Sequence, residues 1–227
     1  MHIDPFIVRG IVSNLFFALI LIACLFLPAG SWNYWQAWVF LVLFELCAQA
    51  FGIYFLINDR KVIERRVRVG PTAEREPAQK IISALIIATF IAAFIVPAFN
   101  HRFGWSPVAP AVSILGDALV AFSFLIFFFV LQANSYAAST IQVEEGQPVI
   151  SSGPYAFVRH PMYAGALVLI AGIPLALGSW CGVLLLVPFL AALLWRLLDE
   201  ERFLGENLPG YAAYAQQVRY RLIPAIF

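Results

Sequence analysis

The fold is decided by residues 161–198, which read PMYAGALVLIAGIPLALGSWCGVLLLVPFLAALLWRLL. This stretch contains no charged residue before Arg196, and its two apolar runs are separated only by Gly178, Ser179 and Trp180. The hydrocarbon core of a bilayer is about 30 Å thick, so a helix needs about 20 apolar residues to cross it. Two apolar runs with so short a connection predict an antiparallel helical hairpin in a membrane, and either arm is short enough to stop before a full span.

The rest of the chain continues this apolar pattern. Further apolar stretches run over about residues 11–27, 34–57, 81–99 and 108–133. Hydrophobic residues make up 62% of the chain and charged residues 12%, whereas soluble domains average about 45–50% and about 25%. The sequence therefore predicts an all-α, polytopic transmembrane bundle of five to six helices, with a C-terminal helical hairpin and a polar tail. The first stretch is longer than a signal-peptide core and only Arg9 precedes it, so we expect a retained span.

The basic residues predict the orientation. The loop from 58 to 80 carries Arg60, Lys61, Arg65, Arg66, Arg68, Arg75 and Lys80. With six spans, thirteen of the fourteen basic residues fall on one side of the membrane, and only Arg102 lies opposite. The positive-inside rule then places this loop, the segment around Arg159 and the tail in the cytoplasm. Abundant arginine and alanine and the lack of an organelle signal favour a bacterial inner membrane, with the endoplasmic reticulum as the alternative.

Composition also limits the classes of molecule that the protein is expected to bind. A formal net charge of +1 argues against nucleic acid as a partner. The three cysteines and three histidines are scattered singly along the chain, without the spacing of metal ligands or of a disulfide framework. We therefore expect membrane lipids and a small molecule as partners, and no metal.

A compact polar cluster marks the start of the hairpin, at residues 153–165, GPYAFVRHPMYAG. Proline at the first position of a helix leaves backbone N–H groups unpaired, and such a helix start attracts anions. Here Arg159 and His160 directly precede Pro161. The segment therefore predicts a binding site for a ligand that carries negative charge.

The tail supplies the opposite charges. Asp199, Glu200 and Glu201 end the last apolar helix, where the helix dipole disfavours acids unless they have partners. The hairpin brings Arg159 and His160 beside Glu200 and Glu201, so we expect these side chains to pair. Tyr211 and Tyr214 share one face of a short tail helix that starts near Pro209. An amphipathic tail that only covers the membrane surface is the alternative interpretation.

Two acids fall inside predicted spans. Glu45 and Asp117 lie at similar depths from the same end of their helices, so they are placed to meet. A lone charge in a bilayer costs at least about 2.5–3.5 kcal/mol, which makes such acids functional hypotheses. The competing interpretation is a structural role, in which each acid is protonated or hydrogen-bonded to a neighbour such as Gln49.

These motifs together resemble a known family. The pattern Gly-Pro-Tyr-x-x-x-Arg-His-Pro-x-Tyr-x-Gly (153–165), followed by Glu-Glu-x-x-Leu, Tyr-x-x-Tyr and Ile-Pro, resembles the isoprenylcysteine carboxyl methyltransferases and the similar phospholipid methyltransferases. The resemblance covers residues 135–227 and implies an integral membrane enzyme that uses S-adenosyl-L-methionine. It divides the chain into residues 1–134, with about four spans and the basic loop, and 135–227, a cofactor-binding catalytic region.

The resemblance implies roles for particular residues. The cofactor site would be formed by Tyr155, Arg159, His160, Tyr163, Gly165, Glu200, Glu201, Tyr211 and Tyr214. Glu201 or His160 would be the base if the acceptor is an amine, with Arg219 and Arg221 near the acceptor. Family members often carry a basic residue just before the closing valine, where this chain has Gln216 and Gln217, so a carboxylate and an amine acceptor both stay open.

The implied acceptor is a lipid-like molecule or a lipidated one that enters sideways from the bilayer. Two other functions compete. Membrane sterol-type reductases that use NADPH are similar at their C-terminus, and Tyr220-Arg221-Leu222-Ile223-Pro224 favours them. A small transporter or scaffold without catalysis would use Glu45 and Asp117 as its polar path.

Overall fold

The computed structural model describes residues 4–66, 70–74, 76–137 and 139–227, and these residues form an all-α structure. The α-helices are α1 (Pro5–Ala29), α2 (Trp35–Asn58), α3 (Arg60–Arg66), α4 (Pro77–Phe103), α5 (Pro110–Ala133), α6 (Pro161–Ala176), α7 (Leu186–Asn207) and α8 (Tyr211–Gln217). Single 3₁₀ turns at Gly153–Ala156 and Cys181–Leu185 precede α6 and α7.

The predicted transmembrane bundle is confirmed. In the described part of the chain, five helices are long and apolar enough to cross a membrane, namely α1, α2, α4, α5 and the continuous segment Cys181–Asn207 that contains α7. The helix α6 is the short arm of the hairpin, because its 16 residues rise only about 24 Å at about 1.5 Å per residue. It starts at Pro161 and is followed by Gly178, whose φ of 80° reverses the chain.

The two ends of the bundle differ in composition. We call the end that holds Arg60, Glu144 and Glu201 the charged end, and the end that holds Asn100 and Gly178 the turn end. Helix α1 begins at the charged end, where Asp4 pairs with Arg60 at 2.6 Å. Among the described lysines and arginines, only Arg102 at the end of α4 lies at the turn end.

The predicted segregation of basic residues is therefore seen in the described part of the chain. Arg102 lies at the turn end, and the other basic residues lie at or near the charged end. Arg68 and Arg75 lie outside the described residues.

Helix α6 is held tightly along α5. A Cβ atom built on Gly116 of α5 would lie 2.1 Å from the backbone nitrogen of Ala176, so the two backbones are in contact there. A Cβ atom on Gly165 would lie 2.8 Å from the ring of Phe127. Small residues allow membrane helices to approach this closely, and the close packing sets where α6 begins at the charged end.

The antiparallel hairpin is confirmed, and a cluster of neutral polar side chains closes it. The Tyr34 hydroxyl donates to the Leu177 carbonyl at 2.6 Å. The Asn100 amide donates to the Gly178 carbonyl at 3.2 Å and accepts from the Ser106 backbone N–H at 2.6 Å. These side chains satisfy backbone groups that the hairpin turn leaves free within the membrane.

The two intramembrane acids have separate surroundings. Glu45 accepts hydrogen bonds from Gln49 at 3.3 Å and from Asn14 at 3.5 Å, so it joins α1 to α2. Asp117 is buried on α5, and neither of its carboxylate oxygens has a hydrogen-bond partner among the described residues. The expected meeting of Glu45 with Asp117 is therefore not seen, and the structural interpretation of Glu45 is supported by its neighbours.

Candidate active site

A polar pocket lies at the charged end, between the start of α6, the end of α7, the helix α8 and the segment 134–150. It contains about 860 Å³ of empty space, part of it open to the surface. Seven of the residues predicted for the cofactor site line it: Tyr155, Arg159, His160, Tyr163, Glu200, Tyr211 and Tyr214. The structure thus brings together side chains that are up to about sixty positions apart in the sequence.

The start of α6 is fixed by the tail. The backbone N–H of Arg159 donates to the Tyr220 carbonyl at 2.9 Å, and that of His160 donates to the Arg221 carbonyl at 2.9 Å. Proline at the first helical position lacks a backbone N–H, so it costs no hydrogen bond there. These bonds hold the tail against the start of α6 and orient Arg159 and His160.

Glu201 lies between two arginines and a histidine. Its Oε1 atom lies 3.0 Å from Arg159 Nε and 3.3 Å from His160 Nε2. Its Oε2 atom accepts a hydrogen bond from Arg221 Nε at 2.9 Å. The predicted pairing of the hairpin arms is confirmed by these contacts. Because both oxygens of Glu201 are engaged and the residue does not line the pocket, it acts as the centre of an ion cluster behind the pocket wall.

Glu200 is the acid that faces the pocket. It accepts a hydrogen bond from the Tyr163 hydroxyl, and its side chain is 24% exposed, against 12% for Glu201. The rings of His160 and Tyr163 stack with centroids 5.4 Å apart. Glu200 is thus the carboxylate that a ligand in the pocket can reach.

Three tyrosines, Tyr155, Tyr211 and Tyr214, form a further part of the pocket wall. The Tyr214 hydroxyl donates to the Tyr155 carbonyl at 2.8 Å, and the Tyr155 hydroxyl accepts from the Asn134 amide at 3.1 Å. Burial raises the pKa of Tyr155 to about 12, and burial also raises the pKa values of Tyr211 and Tyr214. The phenols therefore remain neutral at physiological pH. The Tyr211 hydroxyl is buried and has no hydrogen-bond partner among the described residues.

Three other predicted residues lie elsewhere. Gly165 lies in the contact between α5 and α6, so its missing side chain serves helix packing at that point. Arg221 pairs with Glu201 and lies over the Phe227 ring at 5.1 Å, outside the pocket lining. Arg219 is exposed and does not line the pocket.

Sequence reasoning missed a second, buried ion cluster. Arg196 of α7 pairs with Glu74 at 2.9 Å, and both side chains are less than a tenth exposed. Arg196 also donates to the Ser83 hydroxyl at 3.1 Å and to the Tyr163 hydroxyl at 3.2 Å. The signal in the sequence was an arginine inside an apolar helix, four residues before Glu200, because a charge at such a position needs a partner.

An apolar cleft joins the polar pocket. It contains about 900 Å³ of empty space and reaches between α4, α5, α6 and α7. Its apolar walls include Ile86, Ile87, Phe127, Ala166, Phe189 and Leu193. The two cavities share Arg66, Thr140, Ile141, Met162, Tyr163 and Glu200. A ligand at this junction would contact charged groups on one side and apolar helix faces on the other.

Part of the pocket lies in a range of the chain that matches a known family. Residues 111–209 match the family model described as phospholipid methyltransferase. The predicted resemblance to the isoprenylcysteine and phospholipid methyltransferases is confirmed over this range, which includes α5, α6, α7 and the residues from Arg159 to Glu201. The helix α8 and the end of the tail lie beyond it.

A second similarity covers less of the chain. The mouse protein Delta(14)-sterol reductase TM7SF2 is 30% identical over 95 residues, which is 39% of this chain. The match spans 22% of the length of that protein. This similarity does not decide between a methyltransferase and a reductase.

Proposed function

We propose that this chain is an S-adenosyl-L-methionine-dependent methyltransferase that methylates a lipid-like acceptor. The observation that carries the proposal is the junction of two cavities at Tyr163 and Glu200, one polar and one apolar. Tyr163 and Glu200 lie within the range that matches phospholipid methyltransferases. The proposal therefore rests on the site's geometry together with that match.

The pocket residues fit the cofactor group by group. S-adenosylmethionine carries a carboxylate, an ammonium, ribose hydroxyls and a sulfonium. Arg159 and His160 at the start of α6 suit the carboxylate, and Glu200 suits the ammonium or the ribose hydroxyls. The buried Tyr211 hydroxyl, which has no partner in the described part of the chain, is free to bond to such a ligand. Tyrosine faces attract a sulfonium by about 0.5–2 kcal/mol.

The residues of the chain align and shield the reactants. When bound, the cofactor supplies an electrophilic methyl group. Alignment of acceptor and methyl alone can supply about 7–11 kcal/mol of the barrier reduction. If the acceptor is an amine, Glu200 is the base best placed to take its proton, because both oxygens of Glu201 are held by cations. We propose Glu200 for this role in place of Glu201 or His160, which were the expected candidates.

The acceptor's apolar part fits the apolar cleft. Phe127, Phe189 and Leu193 line it within the bundle, so an acyl or prenyl chain entering from the bilayer would bury apolar surface there. The positive-inside rule places the charged end in the cytoplasm, where the cofactor is available. We propose a bacterial inner membrane as the location.

Calorimetric titration tests the cofactor. The detergent-purified protein is titrated with S-adenosylhomocysteine and, in parallel, with NADPH. We expect saturable binding of S-adenosylhomocysteine that is lost in His160→Ala, which removes a pocket-lining residue. The control is His101→Ala, which changes a histidine that stacks on Tyr34 at the turn end and should leave binding unchanged. If S-adenosylhomocysteine does not bind the native protein, the proposal is wrong.

A nicotinamide-dependent reductase is the second candidate. The sequence Tyr220 to Pro224 at the tail favours it, whereas the similarity to Delta(14)-sterol reductase TM7SF2 is compatible with both functions. The same titration separates the two functions, because binding of NADPH alone would replace the methyltransferase with the reductase.

A further inference from the structure

Arg66 stands at the junction of the two cavities. It is the last residue of α3, it is half-buried, and it lines both the polar pocket and the apolar cleft. Its Nη1 atom donates to the Ala137 carbonyl at 3.2 Å. In the described part of the chain no carboxylate lies within ion-pair distance of its guanidinium. The residues outside that part, 1–3, 67–69, 75 and 138, include no acid.

The other arginines that are buried or half-buried at the charged end have acidic partners. Glu144 accepts two hydrogen bonds from Arg65, the neighbour of Arg66, at 2.6 and 2.7 Å. Arg196 pairs with Glu74, and Arg159 and Arg221 both pair with Glu201.

No acidic side chain in the described part of the chain neutralises the charge of Arg66. Burial lowers the pKa of Arg66, because no described acid offsets the loss of hydration. A partly desolvated cation without a counter-charge is costly, and an anionic ligand group would offset that cost. The side chain faces space that a ligand can enter, because both cavities reach it.

We infer that Arg66 binds an oxyanion, a carboxylate or a phosphate, that is attached to the apolar chain of the acceptor, and that it thereby selects the acceptors this enzyme accepts. This inference rests on the proposed function. The acceptor is favoured over the cofactor as the source of the anion because Arg66 lines the apolar cleft, whereas Arg159 and His160 line only the polar pocket. The apolar chain then lies between α4 and α7, with its charged group at the cleft's polar end.

Direct binding in neutral maltoside micelles tests the inference. The probes are laurate, dodecyl phosphate, dodecanol and inorganic phosphate, each titrated into the native protein and into Arg66→Gln, Arg66→Lys and Arg65→Gln. A charge-assisted hydrogen bond corresponds to an affinity change of about tenfold or more. We expect laurate, dodecyl phosphate or both to bind at least about tenfold more tightly than dodecanol. This advantage should vanish in Arg66→Gln, return in part in Arg66→Lys, and persist in Arg65→Gln.

The individual arms identify the source of the anion. Preference for laurate indicates a carboxylate acceptor, and preference for dodecyl phosphate indicates a phospholipid headgroup. The inference is overturned if neither anion binds better than dodecanol, if Arg65→Gln loses as much affinity as Arg66→Gln, or if inorganic phosphate binds as tightly as dodecyl phosphate.

Titration of Arg66→Gln with S-adenosylhomocysteine separates this inference from the proposed function. We expect the affinity of Arg66→Gln for S-adenosylhomocysteine to stay within about twofold of the native value, a change below about 0.5 kcal/mol. Loss of S-adenosylhomocysteine binding with unchanged laurate and dodecyl phosphate binding would assign Arg66 to the cofactor and overturn the inference. If the native protein binds no S-adenosylhomocysteine but Arg66 still controls anion binding, the methyltransferase proposal fails and the anion site remains.

Discussion

The two ends of the helix bundle both carry clustered polar side chains, but the clusters have different chemistry. At the turn end, Tyr34 and Asn100 are neutral and bond to backbone groups of the hairpin turn. At the charged end, Glu201 and Glu200 lie among cations and tyrosines beside a cavity, and the Tyr211 hydroxyl has no described partner. Side chains that bond to the backbone of a turn hold the fold together, whereas a buried hydroxyl left open at a cavity is available to a ligand.

The charged end also contains a buried ion pair. Arg196 and Glu74 are charged, yet they are buried and paired like the groups of the turn end. We therefore expect the charged end to contain a structural part and a ligand-binding part. Three predictions test this division.

The largest effect is expected for Arg196→Met. It leaves Glu74 buried without its cation, and removal of one partner from such a pair costs about 3–5 kcal/mol. Adding Glu74→Met should recover much of this loss, because the uncompensated charge is then gone. Denaturation of the detergent-solubilised variants measures both changes. An Arg196→Met protein as stable as the native one would place the pair in the ligand-binding part instead.

A matched pair of tyrosine variants compares the two ends directly. Tyr34→Phe removes a hydrogen bond to the Leu177 carbonyl, so the free energy of unfolding should fall by about 0.5–1.5 kcal/mol while S-adenosylhomocysteine affinity stays constant. Tyr211→Phe removes a hydroxyl without a described partner, so stability should change by less than about 0.5 kcal/mol while affinity falls. Thermal denaturation and calorimetric titration of both variants give the four values. Equal losses of stability in the two variants would remove the distinction between the ends.

The smallest effect concerns acid stability. Hydrogen bonding to the Arg65 guanidinium lowers the pKa of Glu144, so this pair stabilises the folded chain above the unfolded pKa of about 4.3. That stabilisation is lost as the pH falls through the lower folded value. Glu144 is more than a third exposed, so the contribution is below about 1 kcal/mol. Between pH 7 and pH 3, the melting temperature of Glu144→Gln should fall slightly less than that of the native protein, and an identical fall would show that the pair contributes nothing.

Much of the fold followed from the sequence because lipid imposes strict demands. A backbone inside a bilayer must satisfy its own hydrogen bonds, so each long apolar run had to be a helix. The hairpin followed from the three residues 178–180 that separate its arms. Once the hairpin was predicted, the pairing of Arg159 and His160 with Glu200 and Glu201 followed from geometry, and the structure shows these contacts.

Parts of the site could not be predicted because neighbouring residues look alike in a sequence. Glu200 and Glu201 are rotated by about 100° on a helix, and only the packing of α7 decides that Glu200 faces the pocket. Arg65 and Arg66 are adjacent in the basic loop, yet one is paired with Glu144 and the other lines both cavities. The position of Gly165 against Phe127 likewise depends on how α6 lies along α5.

The sequence by itself determined the membrane-spanning architecture and the segregation of basic residues to one end, because apolar run length and charge act locally along the chain. It also predicted seven of the residues that line the polar pocket. The tertiary structure decided which acid faces the pocket, which half-buried arginine has no acidic partner among the described residues, and where an apolar cleft meets the polar pocket. These properties depend on the rotation of each helix and on contacts between residues distant in sequence. Glu74 and Arg196, 2.9 Å apart across more than a hundred positions, are a pair that only the fold could bring together.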